Sequence, residues 1–416
     1  MRPLRSRRFG AAAFAALILI ALLASRLSWQ HLAAAPARAQ EPARLYSACC
    51  ADWNSPALVR LNPATLQDMG RSSSLDLRWD PLAGFDERSR LIASPDGSTI
   101  AALMVTPVNN AWPPPKNLTI QTFDRATGRL RAMFHPSVPL DVSTLHLTPR
   151  GGEIYGDRSD SSGPCGWNAL SVKSGRVVYS FTGDSCHAPV LYDPARRRLY
   201  LMDVMPKVMK GQTSTVVLWA HDLPSGHARG SIKLRLMTTA QPAWALSPDG
   251  RIIAVLAPGG DTLVLIDMLR MRLVRTEQLV AASHASTLLG RLTAWIGIAP
   301  SIASAKEVEG AEPSMAFSPD GRQLYITGMM SGKGLGLRVV DVRTGTIVGD
   351  TLQGKWVISV RPSPDGRTLY ALTNDQPDRE GDSTLYRYDL NTHTITAQRR
   401  YAFEPPLVLV SGHGMR

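Results

Sequence analysis

The residues best placed to do chemistry come from one recurring position of a repeated unit. Seven residues before the proline of each recurring turn stand Arg88, Val142, His187, Gln241, Glu312 and Val357, with Asp141 and Trp356 one place earlier in their units. Arg88, Asp141, His187, Gln241, Glu312 and Trp356 together offer a fixed cation, two carboxylates, an imidazole, an amide and an indole. A Glu and a His delivered to one point by different units could exchange protons with a substrate near neutral pH. An arginine and an amide beside them could hold a polar or anionic group. The plainer reading of the same set is a polar rim solvated by a channel.

Other chemistries leave no trace. The nine histidines show no metal-ligand spacing; His221 and His227 are six apart across a turn, and there is no H-E-x-x-H or C-x-x-C. No G-x-S-x-G, phosphate-binding loop or dinucleotide fingerprint follows a suitable strand. The stretch Gly332–Gly336 is glycine-rich but reads as a flexible loop. The loop Asn374–Thr384 gathers Asp375, Asp378, Glu380 and Asp382, yet its spacing is not that of a calcium loop, and it reads as a solvated loop. No metal and no cofactor are expected.

The element that must position the rim is a four-residue turn, Ser-Pro-Asp-Gly, at Ser94–Gly97, Ser247–Gly250, Ser318–Gly321 and Ser363–Gly366, with worn copies at Thr148–Gly151 and Asp193–Arg196. Proline presets φ, aspartate accepts backbone hydrogen bonds, and glycine supplies the positive φ at which the chain reverses. Apolar runs flank every copy. A second polar turn recurs downstream, at Asp124–Gly128, Lys173–Gly175, Asp222–Gly226, Asp341–Gly345 and Asp389–Thr392, with Asp267–Arg270 as a worn form. Each unit therefore holds four strands. Four-stranded antiparallel units recurring at intervals of about 45 to 70 residues build a propeller.

Six full units begin near Arg90, Val142, Ala188, Ala243, Ser314 and Ile358. A half unit precedes them, made of Leu45–Ala48 and Ala57–Leu61. The run Pro405–Ser411 supplies one further apolar strand. Because an open ring leaves unpaired strand edges, Leu407–Val410 is expected to pair with the N-terminal half unit. The expected fold class is all-β: a seven-bladed β-propeller over residues 40–416 with a split closing blade, preceded by an N-terminal apolar segment at 1–39.

The unit resembles the YVTN-type propeller repeats of bacterial surface and periplasmic proteins, within the quinoprotein amine dehydrogenase-like propeller group. Met315–Asp350 (MAFSPDGRQLYITG followed by LGLRVVDVRTGTIVGD) carries the likeness best, and it extends over roughly Leu45 to Ser411. That group includes carbohydrate-lactone hydrolases, amine dehydrogenase heavy chains and binding proteins. The resemblance implies the fold and leaves the activity open.

The leader bears on location. Phe9–Ser25 carries no charge and follows Arg2, Arg5, Arg7 and Arg8, as in an export signal or a signal-anchor. A small-x-small site at Ala37–Ala39 lies far beyond the apolar run, which favours retention as an anchor over cleavage. The chain is therefore expected outside the cytoplasm. Its formal charge of +12 halves once the six arginines of residues 1–39 are set aside, and no basic cluster interleaved with aromatics marks a nucleic-acid surface. Four cysteines suit an oxidising compartment, with Cys165–Cys186 the favoured disulfide candidate and Cys49–Cys50 either free or bridged.

Two further segments stand out. Trp112–Pro115 reads as a stiff polyproline spacer. Residues 281–311 form an insertion between the fifth and sixth units. There Ser286 and Thr287 could cap a helix whose apolar face holds Leu288, Leu289, Leu292, Trp295 and Ile296. Such a helix would pack on the propeller itself, or serve as a lid or docking element. The expected function is a ligand- or protein-binding scaffold, monomeric, with an unidentified partner. The alternative is a lactonase-like or quinoprotein dehydrogenase-like enzyme with its site at the central channel mouth.

Overall fold

The computed structural model describes residues 44–50, 56–74, 90–94, 97–105, 118–125, 127–138, 140, 145–148, 150–157, 166–182, 190–193, 195–205, 214–223, 225–236, 242–257, 262–279, 315–327, 336–374, 383–401 and 407–410. All its regular elements are strands. The first three are β1 (Arg44–Cys50), β2 (Pro56–Leu61) and β3 (Asp68–Ser74). The second blade holds β4 (Arg90–Ala93), β5 (Thr99–Val105), β6 (Leu118–Asp124) and β7 (Leu130–Phe134). The third holds β8 (His146–Leu147), β9 (Glu153–Asp157), β10 (Gly166–Ser171) and β11 (Val177–Thr182). The fourth holds β12 (Val190–Asp193), β13 (Arg198–Met205), β14 (Ser214–Asp222) and β15 (Ala228–Leu236).

The fifth blade comprises β16 (Ala243–Leu246), β17 (Ile252–Leu256), β18 (Thr262–Asp267) and β19 (Arg272–Gln278). The sixth comprises β20 (Met315–Phe317), β21 (Gln323–Thr327), β22 (Leu337–Asp341) and β23 (Ile347–Thr351). The seventh comprises β24 (Trp356–Pro362), β25 (Thr368–Asn374), β26 (Ser383–Asp389) and β27 (Thr394–Tyr401), and β28 (Leu407–Val410) comes last. The strands form seven four-stranded antiparallel sheets, a seven-bladed β-propeller.

The ring closes as expected. β28 pairs antiparallel with β1, Leu45 opposite Leu409 and Tyr46 opposite Val408. The division of the closing blade differs from the sequence expectation. Residues 44–74 contribute three strands, not two, so only the innermost strand comes from the C-terminal side. The third strand, DMGRSSS, has Met69 as its one large apolar residue, exposed, and gives no alternation to read.

Seven apolar cores lie between the blades, one at each blade-to-blade interface. Middle strands touch a core on both faces and are apolar almost continuously: β17 is IIAVL and β18 is TLVLID. An outermost strand can bury one face only and alternate, as in ARGSIKLRL of β15, where Ile232, Leu234 and Leu236 pack on a core and Lys233 and Arg235 are exposed. First strands of adjacent blades meet one another, β4 with β8, β12 with β16, β16 with β20, β20 with β24 and β28 with β4, which makes them the inner ring.

The two turn motifs share an end of the ring, because strands one and three of a meander run in the same direction. At the Ser-Pro-Asp-Gly turns the serine is the hub. Ser318 Oγ accepts the Gln323 N–H at 2.9 Å and donates to Asp320 Oδ1 at 2.6 Å, and Asp320 Oδ1 accepts the Arg322 N–H at 3.1 Å. The same relay recurs at Ser247 and Ser363. Gly321 takes φ of 70°, where a side chain would be strained. In the second turn, Asp341 Oδ1 accepts the Thr344 N–H at 2.7 Å and its hydroxyl at 2.8 Å, while the Gly345 N–H closes on the Asp341 carbonyl at 2.7 Å.

Side chains staple this face from blade to blade, mostly at second-turn carbonyls. Tyr46 Oη donates to the Arg125 carbonyl at 2.7 Å and Tyr370 Oη to the Pro63 carbonyl at 2.9 Å. Arg275 reaches the Thr344 carbonyl, and Arg399 reaches both the Leu66 carbonyl and Asp68. The worn turn of the fourth blade has its own use: Arg196 pairs with Asp193 and reaches across to the Asp249 carbonyl at 3.0 Å.

Candidate functional site

With both short turns at one end, the opposite end receives every connection between second and third strands and every connection between blades. The channel mouth at this loop end is where the rim residues were expected. Trp356 is described: it opens β24, half-buried, opposite Asn374 at the end of β25. Arg88, Asp141, His187, Gln241 and Glu312 lie outside the described residues, as do Cys165, Cys186, the leader at 9–25 and the insertion at 281–311. In sequence, those five rim residues stand within five residues of the first described residue of an innermost strand.

The one described connection between full blades, Thr351 to Trp356, is tightly built. Leu352 and Gly354 both take left-handed φ, 52° and 75°, and the Lys355 N–H donates to the Leu352 carbonyl at 3.0 Å. The Lys355 ammonium lies 5.3 Å from the Tyr386 ring centroid, a cation–π contact. Trp356 is thus fixed in place by backbone geometry.

Other polar groups gather at the loop ends of the second strands. Asp157, Thr327 and Thr373 are all buried there. Arg338, nearly buried at the start of β22, donates to Asp350 at 3.0 Å and to the Leu279 carbonyl at 3.0 Å. Leu279 is the last described residue before the 281–311 insertion, so Arg338 anchors the root of that segment. The reading by turn spacing missed all four. Arg338 did leave a signal, a charge at an otherwise buried position of LRVVD.

Across the solved structures, the likeness is one of fold. The chain is similar to a candidate 6-phosphogluconolactonase from Bacteroides fragilis, at 15% identity over 90% of this chain and 99% of that one, with a TM-score of 0.52. It is also similar to a candidate 6-phosphogluconolactonase from Bacteroides uniformis, at 15% identity, covering 89% of this chain and 100% of that one, with a TM-score of 0.54. The periplasmic gluconolactonase of Pseudomonas aeruginosa matches at 15% identity, 89% and 99% coverage and a TM-score of 0.54. No protein-family model matches the chain, and no curated protein matches it in sequence.

Among the described residues, no group of His, Cys, Asp and Glu could hold a metal ion. The titratable cluster that does form lies at the turn end, between blades three and four. Tyr155 and Tyr179 hydroxyls stand 2.7 Å apart and both donate to Glu153 Oε2, at 3.0 and 2.9 Å. Tyr192 stacks on Tyr155 with centroids 6.4 Å apart. Burial pushes Tyr155 well above the ordinary phenol range and Tyr192 up to about 12, so these phenols stay protonated at neutral pH; the hydrogen bonds to Glu153 lie within blade three, and the Tyr155–Tyr192 ring contact joins it to blade four. The carboxylates of the turns move the other way. The Thr127 N–H, with Arg131 beside it, holds Asp124 down at about 2, and hydrogen bonds from Ser318 and Thr344 lower Asp320 and Asp341.

Proposed function

We propose that this chain is an extracytoplasmic propeller that binds a small polar ligand at the loop-end channel mouth, and that its reaction is hydrolysis of a sugar lactone. The observation that carries the reading is the division between the two ends. The turn end is spent on structural hydrogen bonds, and every connection free to vary opens at the other end. Two of the propellers sharing the fold across nearly their full length are candidate 6-phosphogluconolactonases and a third is a gluconolactonase, which supports testing lactones first. The YVTN-type resemblance of Met315–Asp350, the uncharged run at 9–25 and the periplasmic location of that gluconolactonase support a place outside the cytoplasm.

The expected rim chemistry suits lactone opening. Glu312 or His187 takes a proton from water as it adds to the ring carbonyl, Arg88 steadies the oxyanion, and the ring oxygen leaves as an alcohol once protonated. Trp356 offers an apolar wall to one face of the sugar ring. Opening of glucono-1,5-lactone and of its 6-phosphate by the full chain, followed by acid release, tests this. Turnover above the spontaneous rate that falls at least about tenfold in H187A and E312Q is expected, on the scale of one lost proton-transfer group. Equal rates with and without protein would remove the enzymatic reading and leave a non-catalytic scaffold. The described first strands are mixed: MAF of β20 and AWAL of β16 bring no titratable group, whereas β4, β8 and β12 bring Arg90, His146 and Asp193.

A further inference from the structure

The turn end carries a surface of a different kind. Its aspartates are engaged at the base of the turns, by serine hydroxyls and backbone amides at Asp249, Asp320 and Asp365 and by guanidiniums at Asp193 and Asp267. The arginines beside them are exposed: Arg150, Arg197, Arg251, Arg322, Arg343 and Arg367. Among the described residues only Arg322 of these six meets a carboxylate, Asp320 at 3.8 Å, in a pair too exposed to hold it. They come from five consecutive blades, the third to the seventh, and so form a broad arc around the channel.

The chain also enters the propeller here. β1 starts at Arg44 opposite Val410, the last residue of β28, and that end of the closing blade is the end at which the other first strands reach their turns. The sequence ahead of Arg44 contains the uncharged run Phe9–Ser25. We propose that the turn end of the ring docks on an anionic phospholipid surface, with the six arginines facing lipid phosphates. A guanidinium binds phosphate through paired N–H donors, and basic side chains at such a surface add attraction one by one. The loop end then faces away from the lipid, open to soluble ligand. The lipid surface is favoured over an acidic protein because the cations spread over a broad arc of five blades at the end where β1 begins, and the sequence ahead of β1 holds the uncharged run Phe9–Ser25.

Arginine-specific labelling with phenylglyoxal, read by mass spectrometry, tests the docking. The full chain is placed in nanodiscs of phosphatidylcholine alone or with roughly a quarter phosphatidylglycerol, an anionic fraction sufficient for surface attraction. Labelling of the six arginines is expected to fall about tenfold in the anionic discs and to recover in high salt, while Arg235 near the loop end of β15 stays unchanged. A triple variant, R251E/R322E/R367E, should lose the protection of Arg150, Arg197 and Arg343, with an unchanged melting temperature showing that it folds. Equal labelling in both discs, or protection confined to Arg235, would overturn the proposal. Protection by added polyglutamate without protection by anionic discs would assign the surface to an acidic polypeptide instead. Lactone turnover is independent of every one of these outcomes.

Discussion

A single hydroxyl organises each intact turn. Ser318 Oγ serves one backbone donor and one carboxylate at once, and the same geometry recurs at Ser247 and Ser363. Replacing Ser318 by alanine strands the Gln323 N–H and should cost about 1–2 kcal/mol in denaturant unfolding. The turn carboxylates set a pH limit. Asp124, Asp320, Asp341, Asp365 and Asp389 all titrate below their ordinary value in the folded chain. A lowered folded-state pKa means stability that is present above about pH 4 and lost as protonation proceeds toward pH 2. Thermal melts should therefore fall steeply between those values, and Asp124→Asn should flatten part of the drop.

At the scale of elements, the closing blade is the weak point of the ring. Among the described residues, strand pairing joins the two ends only through the four residues of β28, and Tyr46, Tyr370 and Arg399 brace that blade against its neighbours. Deleting residues 407–416 exposes the β1 edge and should convert one cooperative unfolding transition into a broad or aggregating one. The milder Tyr370→Phe should cost about 1 kcal/mol without changing the shape of the transition. Much of this architecture was legible in the sequence, because Ser-Pro-Asp-Gly is a local motif whose meaning does not depend on distant residues. β28 was legible by elimination, as an apolar strand with no partner of its own. β3 was not, because DMGRSSS lies at the outer edge and needs no buried face. β8 shrinks to His146 and Leu147, which left the start of the third blade blurred. The staples Arg196 and Arg275 were also invisible, since reaching a carbonyl in the next blade leaves no pattern within a blade.

On the scale of the whole molecule, the ring divides its labour between two ends. The turn end is built of carboxylates, hydroxyls and stapled carbonyls that have structural work to do. The loop end holds Trp356, the Arg338 anchor and the connections in which Arg88, His187 and Glu312 stand in sequence. The turn spacing picks out those positions in sequence and cannot show convergence, because inter-blade connections differ in length and composition from one blade to the next. The most direct test compares one variant from each end in the same two assays, glucono-1,5-lactone opening and thermal unfolding. E312Q is expected to melt with the parent chain and lose at least about tenfold in turnover, whereas S318A should melt lower and keep its turnover per folded molecule. The reverse pattern, with activity sensitive to Ser318 and indifferent to Glu312, would contradict the division between a structural turn end and a functional loop end.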